Sequence, residues 1–203
     1  MGITLEQFNQ MTARVSGRKP RGAAPVFEPL PTRSTGKHTI ILGLDPSLRG
    51  TGFGVIQPAK PCPRTLAQGT ISCPANWERS RCLAKIAQTL RDLVREQKPT
   101  VCIVEGLFYA QNLQTALIMG EARGAALAVI AEAGLEIFEI APRKVKQAIV
   151  GYGAAQKLAV AKMVQRMLQL TEPPAPDAAD ALALALTHAQ EQGRYTLTPP
   201  KRI

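Results

Sequence analysis

The chain has 203 residues, with 25 Lys and Arg against 15 Asp and Glu, and a formal net charge of +10. Its 45% hydrophobic content supplies one real core and excludes disorder throughout, while the basic excess favours a polyanionic partner. Aromatics at 4% are too few for a surface built mainly from base-stacking rings, so charge would carry most of the affinity.

The charge is uneven along the chain. Residues 1–38 hold six basic residues and two acids, and residues 193–203 hold Arg194, Lys201 and Arg202 with no acid. Positions 39–192 keep 16 basic and 13 acidic residues. Both flanks are rich in Pro, Gly, Ser and Thr, as in Lys19-Pro20-Arg21-Gly22 and Pro199-Pro200. This predicts a flexible basic N-terminal extension over 1–38, an α/β domain over 39–192, and a flexible basic tail over 193–203. A short helix over Thr4 to Arg14 is the one element expected in the first flank.

Within the domain, Thr39 to Leu44 is a β-branched apolar run ending at Asp45. Gly52 to Ile56 follows after a turn, and Thr65 to Ser72 is a weaker third strand, which together predict an antiparallel meander. Trp77 to Gln97 has helical periodicity through Leu83, Ile86, Leu90 and Val94, and Pro99 stops it. Val101 to Val104 is a short buried strand ending at Glu105. Asn112 to Ala133 reads as a long Ala/Leu helix and Glu136 to Ile140 as a strand. Helices over about Ala154 to Leu170 and Asp177 to Gln190 complete a mixed sheet flanked by helices.

Cysteine usage and targeting narrow the class further. Cys62, Cys73, Cys82 and Cys102 contain no C-x-x-C pair, and His38 and His188 complete no zinc spacing, so reduced thiols in a cytoplasmic protein are expected. The N-terminus has no h-region, and no uncharged stretch is long and apolar enough to span a bilayer.

Four acidic residues stand out by their local context. Asp45 and Glu105 each close a buried strand, where sites gather in α/β sheets. Asp177 and Asp180 are spaced i, i+3 at the start of an Ala-rich helix and share one face. Each has a plain structural alternative: Asp177 as an N-cap, Asp180 as a first-turn acid on the helix dipole, Asp45 as a turn residue, Glu105 as an exit into solvent. Jointly they describe a carboxylate cluster that would be costly without counter-charge. Hard oxygen ligands without Cys or His point to two Mg²⁺ ions, with Mn²⁺ as a substitute, an arrangement suited to in-line attack on a phosphodiester.

The stretch Ile41-Leu42-Gly43-Leu44-Asp45-Pro46-Ser47-Leu48-Arg49-Gly50-Thr51-Gly52-Phe53-Gly54-Val55 resembles the bacterial RuvC Holliday junction resolvases. So do Ile103-Val104-Glu105-Gly106-Leu107-Phe108, Gly120-Glu121-Ala122-Arg123-Gly124, Val145 to Gly153, and Asp177-Ala178-Ala179-Asp180-Ala181-Leu182-Ala183. The blocks keep their order from about Thr39 to His188. The resemblance implies an RNase H-like fold with a mixed five-stranded sheet, a homodimer, and cleavage of four-way DNA junctions by paired symmetric nicks leaving 5′-phosphate and 3′-hydroxyl ends. It implies that Asp45, Glu105, Asp177 and Asp180 are the catalytic, metal-binding acids and that Phe108 stacks on bases near the junction centre. It also implies that Lys146 and Lys157 contact the DNA backbone, and that the RuvA–RuvB branch-migration complex is a partner. Ser47 stands where the family usually has Gly, which raises the question of the backbone angle there.

Further basic residues are weighed beside these. Arg143 and Lys144 crowd the Gly151-Tyr152-Gly153 turn with Lys146 and Lys157, which strengthens a phosphate-contact reading for all four. Arg123 is a candidate for either a DNA contact or an ion pair, and Tyr109 stays unassigned. Three other functions fit parts of the pattern: an RNase H-fold nuclease for another branched or RNA-containing substrate, a non-catalytic junction-binding scaffold, and an actin-like phosphotransferase built on Gly43-Leu44-Asp45 and the following Gly-rich turn.

Overall fold

The computed structural model describes residues 4–6, 38–106, 112–192 and 200–203. The predicted first helix falls outside these residues except for Thr4, Leu5 and Glu6, of which Leu5 and Glu6 are helical. Phe108 and Tyr109 also lie outside the described residues.

Strands β1 (Ile41–Asp45), β2 (Gly50–Gln57) and β3 (Arg64–Ser72) form the expected meander, antiparallel throughout. Helix α1 (Arg79–Gln97) leads to β4 (Val101–Glu105), which lies parallel to β1. Helix α2 (Leu113–Glu132) starts on Asn112, whose side chain accepts from the Gln114 N–H at 2.8 Å. It returns the chain to β5 (Glu136–Ile140), parallel to β4. Helices α3 (Pro142–Val150), α4 (Lys157–Met167) and α5 (Pro176–Glu191) follow.

Two corrections to the expected layout follow. The sheet has six strands rather than five, in the order β3-β2-β1-β4-β5-β6. The sixth, β6 (Lys201–Arg202), comes from the tail expected to be flexible: it pairs antiparallel with β5, and Arg202 reaches the half-buried Glu136 carboxylate at 3.0 Å. Helix α3 was not anticipated. It is one short element with Pro142 in its first turn, and only Val145 and Ile149 mark its buried stripe.

The core has two layers because each central strand buries both faces. Leu42, Leu44, Cys102 and Val104 pack against Ile86, Leu90, Ala122, Ala126 and Ile130 of α1 and α2. Ile41, Val101 and Ile103 pack on the other side against Val145, Val160, Val164 and Leu184 of α3, α4 and α5. By length and composition alone α2 is apolar enough to cross a bilayer, contrary to the sequence reading; here Ala122, Ala126, Val129 and Ile130 commit one of its faces to the core. All four cysteines are free.

Helix α5 lies directly on β1 and β2. A Cβ at Gly43 would run into the Ala181 carbonyl, and one at Gly52 into the Asp177 carbonyl. At Gly54 it would come within 2.6 Å of Leu182 Cδ2. Ala178, Ala179, Ala181 and Ala183 keep the helix side of this contact equally thin, all of them buried. Gly43→Ala must therefore push α5 off the sheet. We expect a loss of about 3 kcal/mol in urea unfolding, the upper end of ordinary overpacking; an unchanged midpoint would mean the helix can move away freely.

Candidate active site

Strand periodicity decides which way the first two acids face. Ile41 and Gly43 of β1 and Val101 and Ile103 of β4 point toward α5, so two residues on, Asp45 and Glu105 point the same way. The strands run parallel and in register at Leu44 and Val104, which brings their C-terminal ends together. The α5 N-terminus arrives over this end through the Gly52 contact.

On α5 the N-cap is Ala175, with no side-chain cap, and Pro176 opens the first turn. Asp177 is thus not the cap that the local pattern allowed. Its carbonyl rests on Gly52 and its carboxylate lies beside Gly50, where a Cβ would be 2.8 Å from Oδ2. Asp180, one turn on, accepts from Lys157 Nζ at 2.9 Å.

These carboxylates act on one another. Asp45 and Glu105 share a side-chain hydrogen bond, and the charges of Asp180 and Asp177 bear on Asp45. Burial, and then the Asp45 charge, push Glu105 up to about 8; burial, and then the Asp180 charge, raise Asp45. At neutral pH Glu105 therefore keeps its proton and donates it to Asp45. The hydrogen bond to Asp180 raises the Lys157 ammonium, so it stays charged. Among the described residues no three His, Cys, Asp or Glu side chains stand as a finished coordination shell. The donor chemistry nonetheless suits a hard divalent cation, being half-buried carboxylate oxygens where burial and then mutual repulsion hold a proton on Glu105.

The loop after Asp45 is fixed by residues that sequence reasoning passed over. Thr51, fully buried, donates to the Ser47 carbonyl at 2.6 Å and accepts from the Ser47 N–H at 3.2 Å. Ser47 needs no left-handed backbone: among the described non-glycine residues only Lys98 and Gln169 have positive φ. Arg49 donates to the carbonyls of Pro74 at 2.5 Å and Trp77 at 3.0 Å, tying this loop to the start of α1. Ser47, Leu48 and Arg49 also line a cavity of about 590 Å³ with Arg79, Thr115, Ile118 and Met119. The interleaved Gly50, Gly52 and Gly54 drew attention to this stretch, but nothing in them marked Thr51 as the loop's clasp.

The basic residues divide. Lys157 stands at the acids, and Lys146 is half-buried on α3. Arg143 is exposed, its side chain against Gly153, where a Cβ would be 2.5 Å from Arg143 Cγ. Lys144 pairs with Glu191 at 2.9 Å. Glu191 lies eleven residues beyond Asp180 on α5, roughly 16 Å along the helix, so Lys144 is not at the acid site. Of the two alternatives for Arg123 the structure selects the ion pair over the DNA contact: it is buried at 7% exposure, paired to Glu139 at 2.5 Å and hydrogen-bonded to the Glu105 carbonyl, leaving no guanidinium face for a phosphate.

The family model for Crossover junction endodeoxyribonuclease RuvC matches residues 41–188. The protein of that name from Akkermansia muciniphila is 46% identical over 148 residues, covering 73% of this chain and 89% of its own length. The one from Chromohalobacter salexigens is 44% identical over 168 residues, 82% of this chain and 89% of its own. Among solved structures, T. thermophilus RuvC in complex with Holliday junction substrate superposes with a TM-score of 0.73 at 31% identity, covering 82% of this chain and 100% of that one.

The Glu105 proton has a measurable signature. An acid whose native pKa exceeds its unfolded value binds more protons when folded, so stability falls as pH rises between the two values. For Glu105 that window runs from 4.5 to about 8. In chelator the Tm should decline across it, Glu105→Gln should flatten the decline, and a divalent cation should restore the parent protein at the alkaline end. Identical Tm profiles for the parent and Glu105→Gln would take the proton off Glu105.

Proposed function

The chain belongs to the RuvC family of crossover junction endodeoxyribonucleases, and from that premise we propose that Asp45, Glu105, Asp177 and Asp180 are its catalytic, metal-binding acids. It is a nuclease that resolves four-way DNA junctions. The observation that carries the assignment is the meeting of two strand-end carboxylates and two helix carboxylates on the α5 side of the sheet, with Asp45 and Glu105 sharing one proton.

Two Mg²⁺ ions, replaceable by Mn²⁺, fit these four acids by charge and ligand chemistry. Asp45, Glu105, Asp177 and Asp180 would hold such ions, which would supply the positive charge that in-line displacement at a phosphodiester needs. The chain contributes the rest. Glu105 gives up its proton to solvent when positive charge enters, which makes cation affinity rise with pH up to about 8. Lys157 pairs with Asp180 at 2.9 Å, and its ammonium would be free to meet a DNA phosphate were Asp180 to serve a cation. Lys146 and Arg143 extend the phosphate-binding side along α3, and Phe108, which follows Glu105 by three residues, is the base-stacking aromatic. The products are paired symmetric nicks with 5′-phosphate and 3′-hydroxyl ends. The basic flanks add nonspecific affinity, the reaction takes place in the cytoplasm, and the RuvA–RuvB branch-migration complex is the protein partner, each on the family resemblance and charge.

Paired nicks require two active sites, and α2 offers the surface for a second copy. Leu113 and Leu117 are 76% and 58% exposed on it, and a Cβ at Gly120 or Gly124 would meet nothing within 4 Å. An apolar, small-residue helix face of this kind lets two helices approach closely. Leu117→Lys should halve the mass found by sedimentation equilibrium; an unchanged dimer would move the interface elsewhere.

The function is tested by incubating the full chain and Mg²⁺ with a four-way junction, a linear duplex and an RNA–DNA hybrid. Nicking of the junction alone, in symmetric pairs, is expected. Asp45→Asn and Asp180→Asn should each lower it by at least about 10³-fold, as befits ligands whose loss removes the charge on the displaced oxygens. Preferred cutting of the hybrid would favour the RNA-directed alternative, and cleavage surviving a chelator would sink the metal role.

A further inference from the structure

The sheet has a second polar cluster next to the acids, on the face they do not use. Ile137 of β5 packs on the α1 and α2 side, so Glu139, two residues on, faces α2 as well. There its carboxylate meets Arg123 at 2.5 Å, and the same guanidinium donates to the backbone carbonyl of Glu105. The Glu105 side chain points to the opposite face. Arg123 thus reaches the residue from behind.

That carbonyl has a particular need. The ladder between β1 and β4 ends at Leu44 and Val104, one residue short of Glu105. On the other flank, the Gly106 N–H is still held by the Ile140 carbonyl at 2.9 Å. The peptide joining Glu105 to Gly106 is therefore bonded at its N–H by the sheet and at its C=O by Arg123. Glu139 also abuts Gly106, where a Cβ would lie 3.4 Å from both Cγ and Oε1. A guanidinium with 7% exposure is costly unless its donors are used, and here they are spent on one carboxylate and one strand-end carbonyl. The fork geometry that reaches both at once is available to Arg and not to Lys.

We propose that Arg123, oriented by Glu139, is a positioning residue: it pins the backbone of Glu105 so that this carboxylate is held at the separation from Asp45 that cation binding needs. This rests on Glu105 being a metal-binding acid. Arg123 touches neither substrate nor cation and acts through the strand end alone.

The test compares full-length Arg123→Met, Arg123→Lys, Glu139→Gln and the Arg123→Met/Glu139→Gln pair, with Glu105→Gln as reference. Junction affinity is measured in chelator, Mg²⁺ affinity by calorimetry on the protein without DNA, and nicking as a function of Mg²⁺. Loss of a partner that orients a ligand should weaken Mg²⁺ binding by about 10- to 100-fold and slow nicking at fixed Mg²⁺. Junction affinity should stay within about twofold, because no phosphate contact is removed. The pair should be no worse than Arg123→Met, since the two residues act as one unit, and Arg123→Lys should recover only part of the loss. Parallel losses of junction affinity and nicking would make Arg123 a DNA contact and overturn the proposal, as would unchanged Mg²⁺ affinity. Should Arg123→Met fail to fold, the partly exposed Glu139→Gln decides alone. If Glu105→Gln itself nicks normally, the acid assignment has failed; if Glu105→Gln is dead while Arg123→Met and Glu139→Gln match the parent, only the positioning role has.

Discussion

Everything at the candidate site depends on how closely one helix lies on the sheet. The α5 backbone rests on Gly43 and Gly52, with carbonyls of Ala181 and Asp177 where β-carbons would otherwise be. Ordinary helix–sheet packing keeps the two backbones apart by the thickness of two side-chain layers. Here one layer is missing on the strand side and thinned to alanine on the helix side. That closeness lets short Asp side chains at the start of α5 reach the acids at the ends of β1 and β4. Longer acids on a more distant helix would span the same gap with more rotamer freedom to lose.

Such crowding has an electrostatic consequence that the rest of the site absorbs. Acids brought together at a half-buried strand end cannot all ionise, and Glu105 answers by keeping its proton up to about 8. Lys157 answers at the other end of the cluster by engaging Asp180. Proton and ammonium are two ways of offsetting the same repulsion. Under the proposed assignment both would yield to a divalent cation, which would bring more charge to the same oxygens.

Much of this was legible in the residues, because strand and helix periods are short-range facts. The continuous apolar runs of β1 and β4 already placed Asp45 and Glu105 at buried strand ends, and the i, i+3 spacing already paired Asp177 with Asp180. What sequence could not convey was partnership across the chain. Arg123 reads equally as a DNA contact or an ion-pair partner until its acceptors are known, and one of them is a backbone carbonyl, which leaves no trace in residue identity. Lys144 reads as part of a basic cluster because it neighbours Lys146, yet the helix turns it to Glu191. Helix α3 escaped notice because two buried residues in nine make a faint stripe. The two residues of β6 escaped because a strand that short has no pattern of its own.

That last strand changes how the excess charge is arranged. The flanks carry most of the +10, and they were expected to leave the domain independently. Instead His38, the last described residue of the first flank, and Arg202 of the second converge on one side chain. His38 lies 3.3 Å from Glu136 Oε2, and Arg202 lies 3.0 Å from Oε1 of the same carboxylate. Gln192 adds a hydrogen bond to the His38 carbonyl at 3.1 Å. Glu136 begins β5, whereas the acids sit at the finishing ends of the strands parallel to it, roughly 13 Å away along the strand direction. This exceeds the screening length of about 8 Å at physiological salt. Arg202, anchored at Glu136, therefore does little to the field at the acids or to the proton on Glu105.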